Sequence, residues 1–239
     1  MLTVSKDDWL RSFSKIIYSS VENKINSREE CSVMLTGGRA AELLYQYWAE
    51  HFPWKHDKIT YYFGDERAVS PDHQDSNYAM VMRTLFPVGK PSSCRVERIE
   101  GEARERNAEA GRYEKILPPS IDVLLLSVGP DGHIASLFPG EGLLQETERL
   151  VVPVIGSKLP RHRFTITPNV IRSAKTVFLL AIGAEKGRVL AEALRQPEDV
   201  FSLPVRLTIG CTWLLDQDAI EQFRKSNHDY GDEIRIEYV

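Results

Sequence analysis

The chain has 239 residues, 42% of them apolar and 27% charged, with 30 Lys and Arg set against 34 Asp and Glu for a net charge of −4. That length suits one large domain with a sizeable core, read here as a single unit over residues 1–239. The mild negative balance with interspersed signs excludes a dominant basic face for nucleic acid, but leaves room for a local Arg and Lys cluster around a small anion.

In chain order, Trp9, Leu10, Phe13, Ile16 and Ile17 recur at three- and four-residue steps and predict an amphipathic helix over residues 6–27. Ser32–Leu35 is a short apolar run halted by Thr36-Gly37-Gly38. A helical pattern from Arg39 to about His51 follows, carrying Ala40, Leu43, Leu44, Tyr47 and Trp48. The first unit therefore reads strand, glycine turn, helix. Ile59–Phe63 is β-branched and aromatic, a strand running into Gly64-Asp65-Glu66-Arg67. A polar loop from Ser70 to Asn77 leads to a helix over Asn77–Leu85, ended by Pro87. Residues 101–116 are charged and helix-prone, with polar positions expected on a solvated face. Ile121–Val128 is a near-continuous apolar run, as in a central parallel strand covered on both faces, and it ends at Gly129-Pro130-Asp131-Gly132. Short strands are expected over 150–155 and 163–167, a buried strand over Lys175–Gly183 and a helix from Glu185 to Arg195. Ser202–Ile209 and Thr212–Leu215 are read as the end of the domain. Strands alternating with helices predict an α/β fold: a doubly wound, mainly parallel, Rossmann-like sheet with helices on both faces and right-handed crossovers. In such sheets ligands bind beyond the carboxyl ends of the strands, where the polar motifs of this chain fall.

Three cysteines, Cys31, Cys94 and Cys211, are too few and too scattered for a disulfide framework or a zinc site, and predict a reducing compartment. The N-terminus lacks the basic and apolar regions of a signal peptide, and no apolar run approaches the ~18 residues of a bilayer span. The expectation is a soluble, cytoplasmic protein with no membrane or nucleic-acid partner.

Four segments carry candidate chemistry. Thr36-Gly37-Gly38-Arg39 joins a strand to a helix; its glycines allow close backbone approach and the helix start favours an anion, or they simply make a tight turn. It is neither a dinucleotide fingerprint nor a Walker loop, so neither a dinucleotide nor a nucleotide triphosphate is indicated. In Asp65-Glu66-Arg67, the arginine either clamps a phosphate or carboxylate or pairs with its neighbours to shape the loop. In Gly129-Pro130-Asp131-Gly132-His133, a neutral imidazole can take a proton from water, and Asp131 can orient it if the geometry lets it reach. Ser157–Arg163 places three cations in six residues, an anion clamp or a solvated basic loop. The remaining histidines, His51, His56, His73, His162 and His228, lack metal-ligand spacing, so no metal is expected. The G-x-S-x-G elbow of a serine hydrolase is absent.

Three blocks resemble the 6-phosphogluconolactonase family. Gly64–Pro71 (GDERAVSP) with Ser76-Asn77 and Leu85 resembles its D-E-R-x-V-P…S-N block; Val128–Gly140 (VGPDGHIASLFPG) resembles G-x-D-G-H-T-A-S-L-F-P-G; Lys158, Arg163 and Thr165–Thr167 resemble P-K-P-P-x-x-R-x-T-x-T. Fainter echoes are Ala174, Gly183 and Lys186, then Trp213–Asp216, and the likeness spans about residues 31–220. The resemblance implies hydrolysis of the δ-lactone of 6-phosphogluconate, in the pentose phosphate pathway, without cofactor. It implies His133 as the base activating water, with Asp131 beside it. Arg67, Lys158 and Arg163 would hold the phosphate or the developing anion; Gly37, Gly38 and Gly129 would give close backbone approach; Arg39, Asp65 and Asn77 complete the candidate binding set. Where the family has S-G-G-S-T-P, this chain has Thr36-Gly37-Gly38-Arg39-Ala40-Ala41, which either adds a cation or reshapes the pocket; Ser157 and Leu159 replace two prolines, and Ile134 replaces a threonine. Two rivals are weighed. A glucosamine-6-phosphate deaminase shares the D-G-H block but continues I-A-F-N-E-P and carries M-D-E-Y where Gly64–Arg67 stands here. A non-catalytic sugar-phosphate-binding domain of a regulator would need a DNA-binding module, for which the first 30 residues are too short.

Overall fold

The computed structural model describes residues 2–4, 8–226 and 236–238. The first residues of the helix expected over 6–27, and His228, lie outside the described residues. In chain order the elements are β1 (Leu2–Val4), α1 (Trp9–Arg28), β2 (Cys31–Leu35), α2 (Arg39–His51), β3 (Ile59–Phe63), β4 (Asp65–Arg67), α3 (Asn77–Thr84), β5 (Arg95–Val96) and α4 (Arg106–Ile116). Then come β6 (Val123–Ser127), β7 (Val151–Ile155), β8 (His162–Ile166), α5 (Pro168–Ser173), β9 (Val177–Ala181), α6 (Ala184–Ala193), β10 (Thr212–Leu215), α7 (Gln217–Ser226) and β11 (Ile236–Tyr238).

Local chemistry explains the boundaries. The Asp8 carboxylate caps α1 by accepting from the Arg11 N–H at 3.1 Å, and the helix stops where Glu29 turns left-handed. Its buried stripe is Phe13, Ile17, Val21 and Ile25, one residue per turn. Ser76 caps α3 by accepting from the Ala79 N–H at 3.1 Å. The stripe of α2 is Ala41, Leu44, Tyr45 and Trp48, rotated from the apolar set that the sequence suggests because Ala40 and Leu43 border a cavity instead. The solvated face expected over 101–116 fails at Glu109, which is buried and paired with Arg112 at 2.7 Å while accepting from the Glu100 N–H.

The main sheet has the order β11-β1-β10-β9-β6-β2-β3-β5, every neighbouring pair parallel. From β2 the chain adds strands outward through β3 to β5, then returns to the other side of β2 with β6 and continues through β9 and β10. Right-handed crossovers on the two sides of that reversal put the connecting helices on opposite faces of the sheet. The middle strand β6 is wholly buried from Val123 to Leu126, as its unbroken apolar run requires.

Two expectations are corrected. Strands β4, β8 and β7 do not join the parallel sheet; they form a separate antiparallel one. The physical reason is loop length: only residues 156–161 separate β7 from β8, enough for a hairpin but far short of a parallel crossover. Nor does Leu215 end the domain, because α7 follows and packs on α6, Gly187 lying so close to α7 that a Cβ there would meet the Ala219 carbonyl oxygen at 1.9 Å. Strand β11 then extends the sheet beside β1.

Candidate active site at the reversal of strand order

The turns after β2 and β6 open side by side, since those strands are neighbours at the point where strand order reverses. That is where an open α/β sheet offers a crevice. A cavity of about 430 Å³ lies there. Gly37, Gly38 and Arg39 after β2, Asp65 and Arg67 of β4, Gly129 and His133 after β6, Arg163 of β8 and Lys186 of α6 border it, with Trp9, Leu43, Leu180 and Ile182 as apolar walls.

The turn after β2 is pinned by the Tyr45 hydroxyl, which accepts from the Thr36 N–H and donates to the Thr36 carbonyl, both at 3.0 Å. Gly38 has φ +97° and begins α2 with no side-chain cap, so a conformation open to glycine leaves the first N–H groups of the helix unsatisfied. Gly37 has a different reason to be glycine: a Cβ would meet the Asn77 side-chain oxygen at 2.2 Å. Gly129 likewise makes room for a side chain, since a Cβ would meet His133 Nδ1 at 2.0 Å. Its own N–H donates to the His133 carbonyl at 2.8 Å. At these two positions, both on the border of the cavity, the small residue also makes room for the side chains of Asn77 and His133.

After β6, His133 Nδ1 hydrogen-bonds to an Asp131 carboxylate oxygen, and the other oxygen of Asp131 lies 3.5 Å from Lys158 Nζ. If Nδ1 carries the proton it donates here, Nε2 holds the lone pair. Burial lowers the His133 pKa, against the opposing hydrogen bond and charge of Asp131, which favours the neutral ring. Burial pushes the Asp131 carboxyl upward, but the bond and charge of His133 and the charge of Lys158 outweigh it and hold it below the ordinary value.

A buried polar network underlies this pair. Asp65 accepts from the Ser136 hydroxyl at 2.8 Å and from the Asn77 amide at 3.0 Å, and the Ser136 N–H donates to the Thr165 hydroxyl at 3.1 Å. Glu66 accepts from the Arg67 and Asn77 N–H groups at 2.7 Å, the Tyr78 N–H at 2.8 Å and the Ser76 hydroxyl at 3.1 Å, locking the loop before α3. Asn77 thus stands behind the cavity wall, holding Asp65. Arg67 Nη1 donates to the Asp75 carbonyl at 2.6 Å, while its buried Nε has no partner. Arg163 donates from Nε to the Pro160 carbonyl at 2.9 Å and from Nη2 to the Lys158 and Leu159 carbonyls at 3.4 Å, so it also fixes the β7–β8 loop. Of the three cations in that loop, Arg161 is exposed and turned to Gly156, Lys158 is exposed beside Asp131, and Arg163 borders the cavity. Among the described residues, no three His, Cys, Asp or Glu side chains are placed to hold a metal ion.

Residues 4–213 match the family described as glucosamine-6-phosphate isomerases/6-phosphogluconolactonase. The chain belongs to this family. The 6-phosphogluconolactonase of Synechocystis sp. is 32% identical over 222 residues, covering 87% of this chain and 91% of that protein. The structure of 6-phosphogluconolactonase from Trypanosoma brucei superposes with a TM-score of 0.76 at 28% identity, covering 92% of this chain and 98% of that one. A monomeric glucosamine-6-phosphate deaminase superposes as well, with a TM-score of 0.78 over 93% of this chain and all of its own, at 20% identity. The fold is thus common to both activities of the family, and only the site can tell them apart.

Within the family frame, Arg39 is the most visible departure: it is exposed at the cavity mouth, where the family pattern has a small hydroxyl residue. Lys186, Trp9 and Leu43 are site residues that sequence reasoning did not assign. Lys186 lies in the first turn of α6, and burial lowers its pKa. Its signal was the faint echo of Gly183 and Lys186 after a buried strand. Trp9 read only as part of a helix stripe, and nothing local marked it as a cavity wall.

Proposed function

We propose that this chain hydrolyses 6-phospho-D-glucono-1,5-lactone to 6-phosphogluconate, with His133 as general base. The observation that carries the reading is the half-buried His133–Asp131 pair, whose imidazole borders a cavity also lined by Arg39, Arg67, Arg163 and Lys186. These cations, with the uncapped first turn of α2, receive the 6-phosphate and the charge that develops on the lactone carbonyl oxygen. Holding the phosphate fixes the lactone relative to the base, and such orientation supplies several kcal/mol of the rate enhancement. His133 Nε2 takes a proton from water as the water oxygen bonds to the lactone carbonyl carbon. Asp131 stabilises the resulting imidazolium through Nδ1. When the tetrahedral intermediate collapses, the ring C–O bond breaks and the imidazolium returns its proton to the departing ring oxygen. The products are a free hydroxyl and a carboxylic acid, which ionises in solution. The kinship to lactonases at about one-third identity supports the same reaction, and Phe138 occupies the place where the deaminase pattern has an acidic residue.

We place this activity in the cytosol as part of a sugar-phosphate pathway. Cys31 and Cys94 are buried thiols, and no described helix is long and apolar enough to cross a membrane. The test is hydrolysis of freshly generated lactone, coupled to NADP-linked oxidation of 6-phosphogluconate and compared with the spontaneous rate. The wild-type chain should accelerate hydrolysis strongly, and a folded His133→Ala variant should lose about 10²–10⁴-fold in kcat. Wild-type turnover in that variant would remove His133 from the role.

A further inference from the structure

Among the buried apolar side chains described, Phe138 is the one that does not join the contiguous core. It packs against the polar machinery of the site. Its ring centroid lies 4.9 Å from that of His133, with the planes inclined at 33°. The Arg163 guanidinium carbon lies 5.7 Å from the same centroid. The ring edge fills the space over Gly156 in the β7–β8 loop, where a Cβ would come within 2.6 Å of Phe138 Cε2 and 2.9 Å of Cζ. One ring therefore touches the base, a cation of the cavity and the loop that carries Lys158.

The backbone is bent to put it there. Ile134 and Leu137 are wholly buried anchors, with the Leu137 N–H donating to the Ile134 carbonyl at 2.9 Å. Between them Ala135 adopts φ +49°, a left-handed conformation that is strained for a residue with a Cβ. The residue that follows the turn, Phe138, meets the imidazole instead of the core.

Resting on the lactonase reading above, we propose that Phe138 is a positioning residue: it clamps the His133 imidazole and the Arg163 guanidinium at fixed separation and keeps bulk water off the imidazole. The face of the ring attracts the guanidinium, and its bulk supplies part of the burial of His133. The charged groups around the imidazole are Asp131 on its own turn, Lys158 from the hairpin loop and Asp65 from β4, with Arg67, Arg163 and Lys186 bordering the same cavity. Changing Phe138 to another apolar residue leaves all of these charges in the molecule, so a shift in His133 reports shielding and placement. An acidic side chain here, as in the deaminase pattern, would instead set a carboxylate against both His133 and Arg163.

The experiment pairs two readouts on the full chain. Imidazole NMR titration, with the His133 signal assigned by its loss in His133→Gln, reads the base without any substrate. The pH dependence of kcat and KM with the lactone reads its use. Phe138→Ala should raise the His133 titration point toward the ordinary value, lower kcat on the order of 10- to 100-fold and raise KM as Arg163 loses its partner. Phe138→Met, which refills the space, should restore the titration point and most of kcat. If the Ala variant does not fold, Phe138→Val must shift the titration in the same direction. An unmoved titration point in folded Ala or Val variants, or a shift in Met equal to theirs, would overturn the proposal. If wild-type protein fails to hydrolyse the lactone while the titration still moves as expected, the lactonase reading falls and the positioning role stands.

Discussion

Replacing Asp131 by Asn separates the carboxylate's effect on the rate from its effect on the ionisation of His133. In the step that forms imidazolium, Nδ1–H donates to a carboxylate, a charge-assisted bond worth about 1.5–3 kcal/mol. The Asp131 side chain is 36% exposed, so solvent screening points to the lower end, ~1.5 kcal/mol or roughly tenfold in kcat. The effect on pH runs the other way. Asp131 raises the His133 pKa against the larger lowering by burial. Removing its charge lets His133 fall further, so the acid limb of the kcat/KM profile moves to lower pH. The variant is thus slower on the plateau, yet its deficit shrinks as the solution is acidified. Initial rates of acid release from fresh lactone, corrected for the spontaneous rate between pH 5 and 8, measure both effects. A limb that moves upward, or a plateau equal to wild type, would refute the assigned partnership. Stability gives a second check. The folded-state pKa of Asp131 is depressed below the ordinary 3.8, so its contribution is present above that value and lost as pH falls through the folded pKa. The Asn variant should therefore match wild type in Tm only under strongly acid conditions.

Three further outcomes follow from the geometry. Arg39→Ser, which restores the hydroxyl of the family pattern, should raise KM several-fold with kcat little changed if Arg39 binds phosphate equally in ground and transition states, and an unchanged KM would take Arg39 out of the phosphate site. Glu66→Gln turns an amide toward two of the four donors now facing the carboxylate and should cost about 2–4 kcal/mol in denaturant unfolding; a midpoint within experimental scatter of wild type would contradict the hydrogen-bond assignment. Gly37→Ala drives a Cβ into Asn77, so it should destabilise by about 1–3 kcal/mol and loosen Asp65; Asn77→Ser in the same chain, by giving back space, should recover part of that loss in melting experiments.

The parallel sheet was legible because its strands carry uninterrupted apolar runs, Val123–Leu126 above all, which suit only a strand covered on both faces. The small antiparallel sheet was not, because β4 and β8 carry charge within the strand and β7 carries a proline, and only the six-residue separation of β7 from β8 hinted at a hairpin. The chain beyond Leu215 was read as an ending, although Ala219, Ile220 and Phe223 hold helix spacing and are buried. For the site, the turns after β2 and β6 were readable from their glycines and from Asp131 and His133. What spacing cannot tell is direction. Gly37 and Gly129 border the cavity, yet each also makes room for a side chain, His133 in the cavity and Asn77 behind its wall. Phe138 read as one letter of a motif, and its role depends on a hairpin loop about twenty residues further along the chain.

The pairing of β4 with β8 is the point at which fold and chemistry meet. In that register Arg67 stands directly opposite Arg163. Like charges opposed across two strands destabilise a sheet, and the Arg67 charge, after burial, is the second cause that lowers the Arg163 pKa. Asp65 and the carbonyl oxygens of Asp75 and Pro160 compensate in part, but the buried Arg67 Nε has no partner. A pair of mutually repelling guanidinium groups with a spare donor, set on a strand pair that borders a cavity, is costly for folding alone. It makes physical sense as a site held ready for an anion, because the ligand supplies the negative charge that the protein withholds. The stability lost in the free protein then returns on binding, so an anionic sugar phosphate should raise Tm more in wild type than in Arg67→Met.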